Sequence, residues 1–155
     1  MAPRVVILGL GNPLARDEGL GPRAVERLMA RGLPEGVTAI DAGTDLLAVL
    51  GEVAGAERLV LIDAIQAGGE PGTLYRRTLD ELLDCAAAEP DWASAHALTL
   101  VGSIRLARKA KMSLPPAVVF GIEPGDVAFG EGLSPAVEAA LGPLLDAVLA
   151  EAGGC

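Results

Sequence analysis

Carboxylate side chains follow three apolar runs of the sequence, and each run reads as a buried strand. Asp17 and Glu18 come after the first run and a glycine-rich turn, whereas Asp41 and Asp63 close the second and third runs. In an open α/β sheet, ligands bind beyond the carboxyl ends of the strands. One aspartate there is commonly only the cap of the next helix, but several carboxylates at one edge repel each other unless a cation holds them. The pattern therefore predicts a cation-binding or catalytic site.

The only histidine, His96, comes two residues after Ser94, which could cap a helix. In the first helical turn the helix dipole disfavours the imidazolium form and leaves a neutral ring that can bind a metal. A lone histidine is more often structural, but a glutamate and an aspartate from this edge of the sheet would, together with His96, offer two oxygens and one nitrogen. That set suits a borderline ion such as Ni²⁺ or Zn²⁺ and leaves coordination positions open for water or a substrate.

Other reaction classes fit less well. The sequence has no G-x-S-x-G nucleophile elbow, and no second histidine is present to activate a nucleophile. The glycine-rich turn does not complete the dinucleotide motif G-x-G-x-x-G, because Leu14 stands at its sixth position. No Gly-Lys-Ser/Thr follows the turn, so a P-loop is excluded as well.

Apolar periodicity and turn residues predict the elements that position these side chains. Strands are expected over residues 4–10, 37–42, 58–64, 73–78 and 117–122, and helices over 19–32, 46–54, 80–88, 94–111 and 134–153. This order predicts an α/β fold, a three-layer α-β-α sandwich around a five-stranded, mostly parallel twisted sheet. The fourth strand follows the third after a short turn, so we expect it to be an antiparallel edge strand. A bend is expected at Pro143 in the last helix.

The composition and charge of the chain limit the kinds of partner and the location that we expect. The 155 residues, which we expect to form a single domain over 1–155, are 51% hydrophobic but only 3% aromatic, so the core should be aliphatic. The net charge of −9 argues against nucleic acid as a partner. No apolar run reaches the ~20 residues of a membrane span. Cys85 and Cys155 show neither metal-ligand spacing nor a disulfide framework. We therefore expect a cytoplasmic protein without membrane attachment and, by default, a monomer.

Several motifs taken together resemble those of the hydrogenase maturation endopeptidases. They are G-x-G-N-x-x-x-x-D-E-G-x-G-P over residues 9–22, D-x-G-T beginning at Asp41, the strand-ending pair Asp63-Ala64, S-x-H ending at His96, and GIEPGDVAFGEGLSPAV over residues 121–137. The resemblance covers nearly the whole chain, with the motifs in the right order. The segment 80–93, with the only tryptophan at Trp92, matches no recognisable motif; it could be a loop over the site or part of the core.

The resemblance implies an enzyme that cuts the C-terminal extension from the large-subunit precursor of a [NiFe] hydrogenase after nickel has been inserted. It implies that Glu18, Asp63 and His96 contact the metal and that Asp41 matches an aspartate implicated in function. The nickel would belong to the substrate, and another divalent ion such as zinc could substitute in vitro. Nickel could polarise the peptide carbonyl or activate water, or it could be only a docking point while Asp41 acts as general base.

Two other functions are compatible with the same residues. The chain could be a nickel chaperone that delivers metal without proteolysis, or a general peptidase that acts on short peptides without nickel. Cleavage of a nickel-loaded precursor separates the endopeptidase from both, so these alternatives are questions for an assay.

Overall fold

The structure, a computed structural model, describes residues 4–53, 55–88 and 95–153, without the side chains of residues 85–88 and 95–99. The predicted cap Ser94 and the side chains of Trp92 and His96 lie outside this described part. The strands are β1 Val5–Leu10, β2 Val37–Gly43, β3 Arg58–Ala64, β4 Leu74–Thr78 and β5 Ala117–Ile122. The α-helices are α1 Leu20–Arg31, α2 Leu46–Leu50, α3 Leu79–Ala88, α4 Ala95–Lys109 and α5 Pro135–Gly153, and a single 3₁₀ turn, Arg16–Gly19, precedes α1.

The five strands form one sheet in the order β2-β1-β3-β5-β4. The first four strands in this order are parallel, and β4 pairs antiparallel with β5 at the edge. The predicted fold, including the antiparallel edge strand, is therefore confirmed. Because β1 lies between β2 and β3, the three strands that precede the candidate carboxylates are neighbours, and their carboxyl ends meet at one edge of the sheet.

The two faces of the sheet bury different side chains, as strand alternation requires. On one face, Ile7 of β1 and Ile62 of β3 pack with the apolar residues of α1 and α5. On the other, Leu8 of β1 and Leu61 of β3 pack with residues of α2, α3 and α4. These two aliphatic clusters make the predicted three-layer sandwich and fix the face to which each strand residue points.

Strand β1 and helix α1 touch backbone to backbone. A Cβ atom on Gly9 would overlap the carbonyl oxygen of Gly21, and a Cβ on Gly21 would overlap the backbone nitrogen and oxygen of Leu10. Both positions must therefore be glycine for the helix to approach this closely. The close approach forces the chain between β1 and α1 into a compact loop, which is the loop that carries Glu18.

Three local features differ from the sequence prediction. The 3₁₀ turn before α1 was not predicted. Helix α2 ends at Leu50 rather than near residue 54, although Asp45 caps it by accepting a hydrogen bond from the Ala48 amide at 3.1 Å. Helix α5 continues through Pro143, where a bend is predicted. None of the helices in the described part of the chain is both long and apolar enough to cross a bilayer.

Candidate functional site

Glu18 lies on the 3₁₀ turn, which packs beside β3. Its amide donates a hydrogen bond to the carbonyl of Ala15 at 3.1 Å, and its side chain is partly exposed. Gly11 adopts a left-handed φ of +138°, and a Cβ there would overlap the carbonyl oxygen of Glu18. The backbone of Glu18 is therefore held in place from two sides, while its carboxylate stays accessible to a ligand.

Asp63 is the penultimate residue of β3, and only 1% of its surface is exposed. Asp63 lies two and four residues after Leu61 and Leu59, whose side chains pack on the α4 face of the sheet. Alternation along the strand thus places Asp63 on that face too, at the carboxyl end. This is the edge where the Glu18 turn packs beside β3.

His96 belongs to the first turn of α4. Leu100 and Ile104 of α4 pack against the same face of the sheet on which Asp63 lies. Helix α4 ends shortly before β5 begins, so it runs back along the sheet for about 22 Å and its first turn reaches the carboxyl edge. From this direction of α4 we expect His96 to lie near the edge and on the face where Asp63 lies. Among the residues whose side chains are described, no three acidic, cysteine or histidine groups form a metal site. His96 is not one of these residues, so metal binding by Glu18, Asp63 and His96 stays a prediction.

Asp41 lies at the same edge of the sheet but on the opposite face. Val37 and Ala39, which lie four and two residues before it on β2 and so point to the same face, pack with the residues of α1 and α5. The Asp41 side chain is exposed, and its Oδ1 accepts a hydrogen bond from the Gly43 amide at 2.9 Å. The structure thus separates Asp41 from Asp63, although their strands both flank β1.

Asp41 borders a half-open groove of about 370 Å³ between α1 and two loops. Apolar surface from the loops and from the first turns of α1 lines much of this groove, with two arginines and a glutamate at its sides. The lining residues are Pro13, Arg16, Gly19, Pro22, Arg23, Val25, Glu26, Asp41, Gly132 and Leu133. This groove is the place where Asp41 could contact a bound peptide.

Asp17, which the sequence places beside Glu18 as a second candidate, has a structural role. Its carboxylate is 1% exposed. Oδ2 accepts hydrogen bonds from the amides of Gly125 and Asp126, both at 2.8 Å, and from the Ser134 hydroxyl at 2.7 Å. Oδ1 accepts one from the Ser134 amide at 2.7 Å. Burial alone would raise the pKa of Asp17, but the hydrogen bonds from Ser134, Asp126 and Gly125 outweigh it and hold the pKa below its ordinary value.

Asp17 thereby joins two loops, residues 11–19 and residues 123–134, which we call the paired loops. Backbone hydrogen bonds reinforce the joint: the Gly130 amide donates to the Leu14 carbonyl at 2.7 Å, and the Arg16 amide donates to the Gly130 carbonyl at 3.0 Å. The Arg16 guanidinium also lies 3.5 Å from the Asp126 carboxylate. Glu18 therefore projects from a loop that is fixed to a second loop more than one hundred residues away in sequence.

A third buried carboxylate, Glu123, was not identified from the sequence. Its Oε1 accepts hydrogen bonds from the amides of Ala67 and Gly69, at 2.9 and 3.0 Å, and from the Tyr75 hydroxyl at 2.8 Å. Burial raises the pKa of Tyr75, and the hydrogen bond to Glu123 and its negative charge raise it further. Glu123 therefore fixes the loop that follows Asp63. An acidic residue directly after an apolar strand and before Pro-Gly was the available sequence signal.

Comparison with known proteins gives the family. The model of the hydrogenase maturation protease family matches residues 22–151. A hydrogenase expression/formation protein, HupD, of Bradyrhizobium diazoefficiens is 36% identical over 97% of this chain and 80% of its own length. The hydrogenase 2 maturation protease of Escherichia coli is 34% identical over 95% of this chain and 89% of its own.

Solved structures agree with this result. The hydrogenase maturating endopeptidase HybD from Escherichia coli superposes with a TM-score of 0.81 at 33% identity, covering 96% of this chain and 91% of that chain. The [NiFe] hydrogenase maturation protease HybD from Thermococcus kodakarensis gives a TM-score of 0.79 at 28% identity, covering 96% and 99%. This chain belongs to the hydrogenase maturation protease family.

Proposed function

We propose that this protein is the endopeptidase that removes the C-terminal extension from the large-subunit precursor of a [NiFe] hydrogenase, and that it recognises nickel in that precursor through Glu18, Asp63 and His96. Its family consists of endopeptidases, so the protein is a hydrolase that acts in hydrogenase maturation. The observation that supports the nickel contact is the packing of the Glu18 turn beside β3, the strand whose penultimate residue is Asp63.

Nickel enters this proposal as part of the substrate. Two carboxylates and one imidazole are suitable ligands for Ni²⁺ that the precursor already holds. An ion shared between enzyme and precursor would fix the position of the nearby peptide bond, and correct positioning alone can supply a large part of a rate enhancement. The ion would supply Lewis-acid chemistry, either on the peptide carbonyl or on an attacking water. Zinc or another divalent ion with the same ligand preferences could replace nickel in vitro.

The position of Asp41 favours a role in binding rather than as general base. A base must come within hydrogen-bond reach of the proton that it removes. Asp41 lies across the sheet from Asp63, and its Oδ1 is engaged by Gly43. We therefore propose that Asp41 contacts the precursor in the groove beside α1, and that the hydrolytic step takes place at Glu18 and Asp63.

The test is cleavage of a purified, nickel-loaded precursor followed by mass spectrometry. Glu18→Gln, Asp63→Asn and His96→Ala should each lower the cleavage rate by at least about 100-fold, because each removes one metal contact. Glu52→Gln, which changes an exposed acid in the turn after α2, is the matched control and should cleave within two-fold of the original protein. Circular dichroism of every variant checks that the fold is retained.

A nickel-free precursor gives the second comparison. If nickel is the recognition element, the nickel-free precursor should remain uncut. Full cleavage of it, or full activity of Glu18→Gln and His96→Ala, would contradict the nickel contact while leaving the family unaffected. Tight Ni²⁺ binding to the isolated protein, with the precursor mass unchanged, would support the chaperone alternative instead. The cytoplasmic location and the monomeric state stay predictions.

A further inference from the structure

The paired loops expose large apolar side chains beside the candidate site. Phe129 is 87% exposed, although the chain contains only two phenylalanines. Val127 on the same loop and Leu14 on its partner loop are exposed as well. Single exposed apolar residues are ordinary on protein surfaces, but three of them on two joined loops form a patch. Such patches mark interaction sites. We call Leu14, Val127 and Phe129 the loop-tip patch.

The backbone under this patch is fixed. Asp17 accepts four hydrogen bonds from the loop that carries Val127 and Phe129, and Gly130 pairs with Leu14 and with Arg16 through its backbone. The Ala128 amide also donates to Asp126 Oδ1 at 2.9 Å. A loop held in this way loses little conformational entropy when a partner binds. Aromatic side chains, phenylalanine among them, are enriched in the buried core of protein interfaces.

The charge around the patch selects the kind of partner. Of the five carboxylates on the paired loops, Asp17 and Glu123 are buried and hydrogen-bonded. The three others are Glu18, Glu131 and Asp126, and Asp126 pairs with Arg16, the single basic residue of these loops. Among the described residues, Glu131, two positions after Phe129, has no cation within salt-bridge distance. The chain as a whole has a net charge of −9. A segment that complements this surface therefore places an apolar side chain on Phe129 and a lysine or arginine near Glu131.

We propose that the loop-tip patch docks the large-subunit precursor, through a segment with an apolar side chain beside a basic one. The proposal rests on the proposed function, because it takes the precursor as the partner. Continuity with the site supports that choice. Leu14 lies four residues before Glu18 and Gly130 pairs with the same loop, so a precursor bound at Glu18 is within one short loop of the patch. Docking there acts on affinity and leaves the hydrolytic step to Glu18, Asp63 and His96.

The test compares Phe129→Ser with Leu106→Ser. Leu106 is also exposed, at 53%, but lies on α4 away from the paired loops. With nickel-loaded precursor as substrate, Phe129→Ser should raise KM by about 10-fold or more, which corresponds to about 1.4 kcal/mol, while kcat stays within two-fold. Leu106→Ser should change neither constant by more than two-fold. Glu131→Lys should also weaken binding, with a smaller effect at high salt.

Direct binding to immobilised precursor separates this proposal from the proposed function. If the original protein binds the precursor without cutting it and Phe129→Ser binds at least 10-fold more weakly, the docking surface is supported and the protease assignment fails. An unchanged KM and affinity for Phe129→Ser would overturn the docking surface whatever the cleavage assay shows. Absence of any precursor binding by the original protein would overturn both. Self-association abolished by Phe129→Ser, with precursor affinity unchanged, would assign the patch to a second copy of the chain and overturn the proposal.

Discussion

Replacing Asp17 by asparagine tests the claim that this carboxylate joins the paired loops. All four of its partners are donors, three on Oδ2 and one on Oδ1. Asparagine has one accepting oxygen, so its amide group must face at least one N–H donor. The better orientation places that group against the Ser134 amide and leaves a single buried donor unsatisfied. The other orientation sets it against the amides of Gly125 and Asp126.

The expected loss follows from these contacts. One unsatisfied buried N–H costs about 1–3 kcal/mol, and hydrogen bonds to a neutral oxygen are weaker than those to a carboxylate by about 1 kcal/mol each. The lower desolvation penalty of a neutral side chain offsets part of this loss. We expect Asp17→Asn to lower the free energy of unfolding by about 2–4 kcal/mol at pH 7. Asp126→Asn, on the same loop but half-exposed, loses the ion pair with Arg16 while its remaining oxygen can still accept from the Ala128 amide, so it should cost less than about 1 kcal/mol.

Glu123→Gln is the informative comparison. Ala67, Gly69 and Tyr75 all donate to Oε1 of Glu123, so a glutamine oxygen at that position can accept all three bonds. We expect it to cost about 1 kcal/mol, clearly less than Asp17→Asn. Urea unfolding followed by circular dichroism measures both changes. An Asp17→Asn protein that unfolds at the same urea concentration as the original, or a Glu123→Gln protein that is the less stable of the two variants, would refute the reasoning.

The pH dependence gives an independent check on Asp17. Its pKa is lower in the folded protein than in the unfolded chain, so it stabilises the fold above the ordinary aspartate pKa of about 4. That contribution is lost as the pH falls through the lowered pKa of the folded state. The stability difference between the original protein and Asp17→Asn should therefore shrink as the pH falls below about 4. A difference that stays constant down to acid unfolding would contradict the assignment of the hydrogen bonds to the ionised carboxylate.

Two further predictions concern the supports of the site. Tyr75 is the only tyrosine, so the ultraviolet absorbance of phenolate reports its pKa directly, and the midpoint should lie above that of the urea-unfolded protein and fall in Glu123→Gln. Because the pKa of Tyr75 is raised in the folded protein, the stability that this residue contributes is fully present below pH ~10 and is lost as the pH rises through the pKa of the folded state. Equal titration midpoints in the folded and the unfolded protein would contradict the raised pKa. Gly21→Ala should destabilise the fold by at least about 2 kcal/mol, because the new Cβ overlaps the backbone of Leu10. Gly102→Ala in α4 is the control: a Cβ there meets nothing within 4 Å, so the substitution should stabilise the helix by about 0.5–1 kcal/mol. Thermal unfolding compares the two alanine variants, and equal midpoints would disprove the close packing of β1 on α1.

Local sequence patterns predict the sheet well because each strand carries its own signal. The apolar runs, their glycine boundaries and the short connection between β3 and β4 suffice for a mostly parallel sheet with an antiparallel edge. The same patterns place Glu18, Asp41 and Asp63 at the carboxyl ends of neighbouring strands. These patterns do not show to which face of the sheet each strand residue points. Asp41 and Asp63 both continue an alternating apolar series, and only the packing of distant helices decides that the two series face opposite ways.

The roles of the adjacent residues Asp17 and Glu18 show the same limit within a single dipeptide. Both are carboxylates in the same turn, and only partners 108 to 117 residues away distinguish them. The charge of Asp17 is stabilised by those donors, so it contributes little attraction for an incoming cation. The partly exposed Glu18 is left free to meet one. Asp17 and Glu123 thus fix the loops on either side of the edge, the first beside Glu18 and the second directly after Asp63. The acidity of this edge therefore serves two purposes, since Asp17 and Glu123 hold the backbone around Glu18 and Asp63, the two carboxylates that we propose to contact the nickel of the substrate.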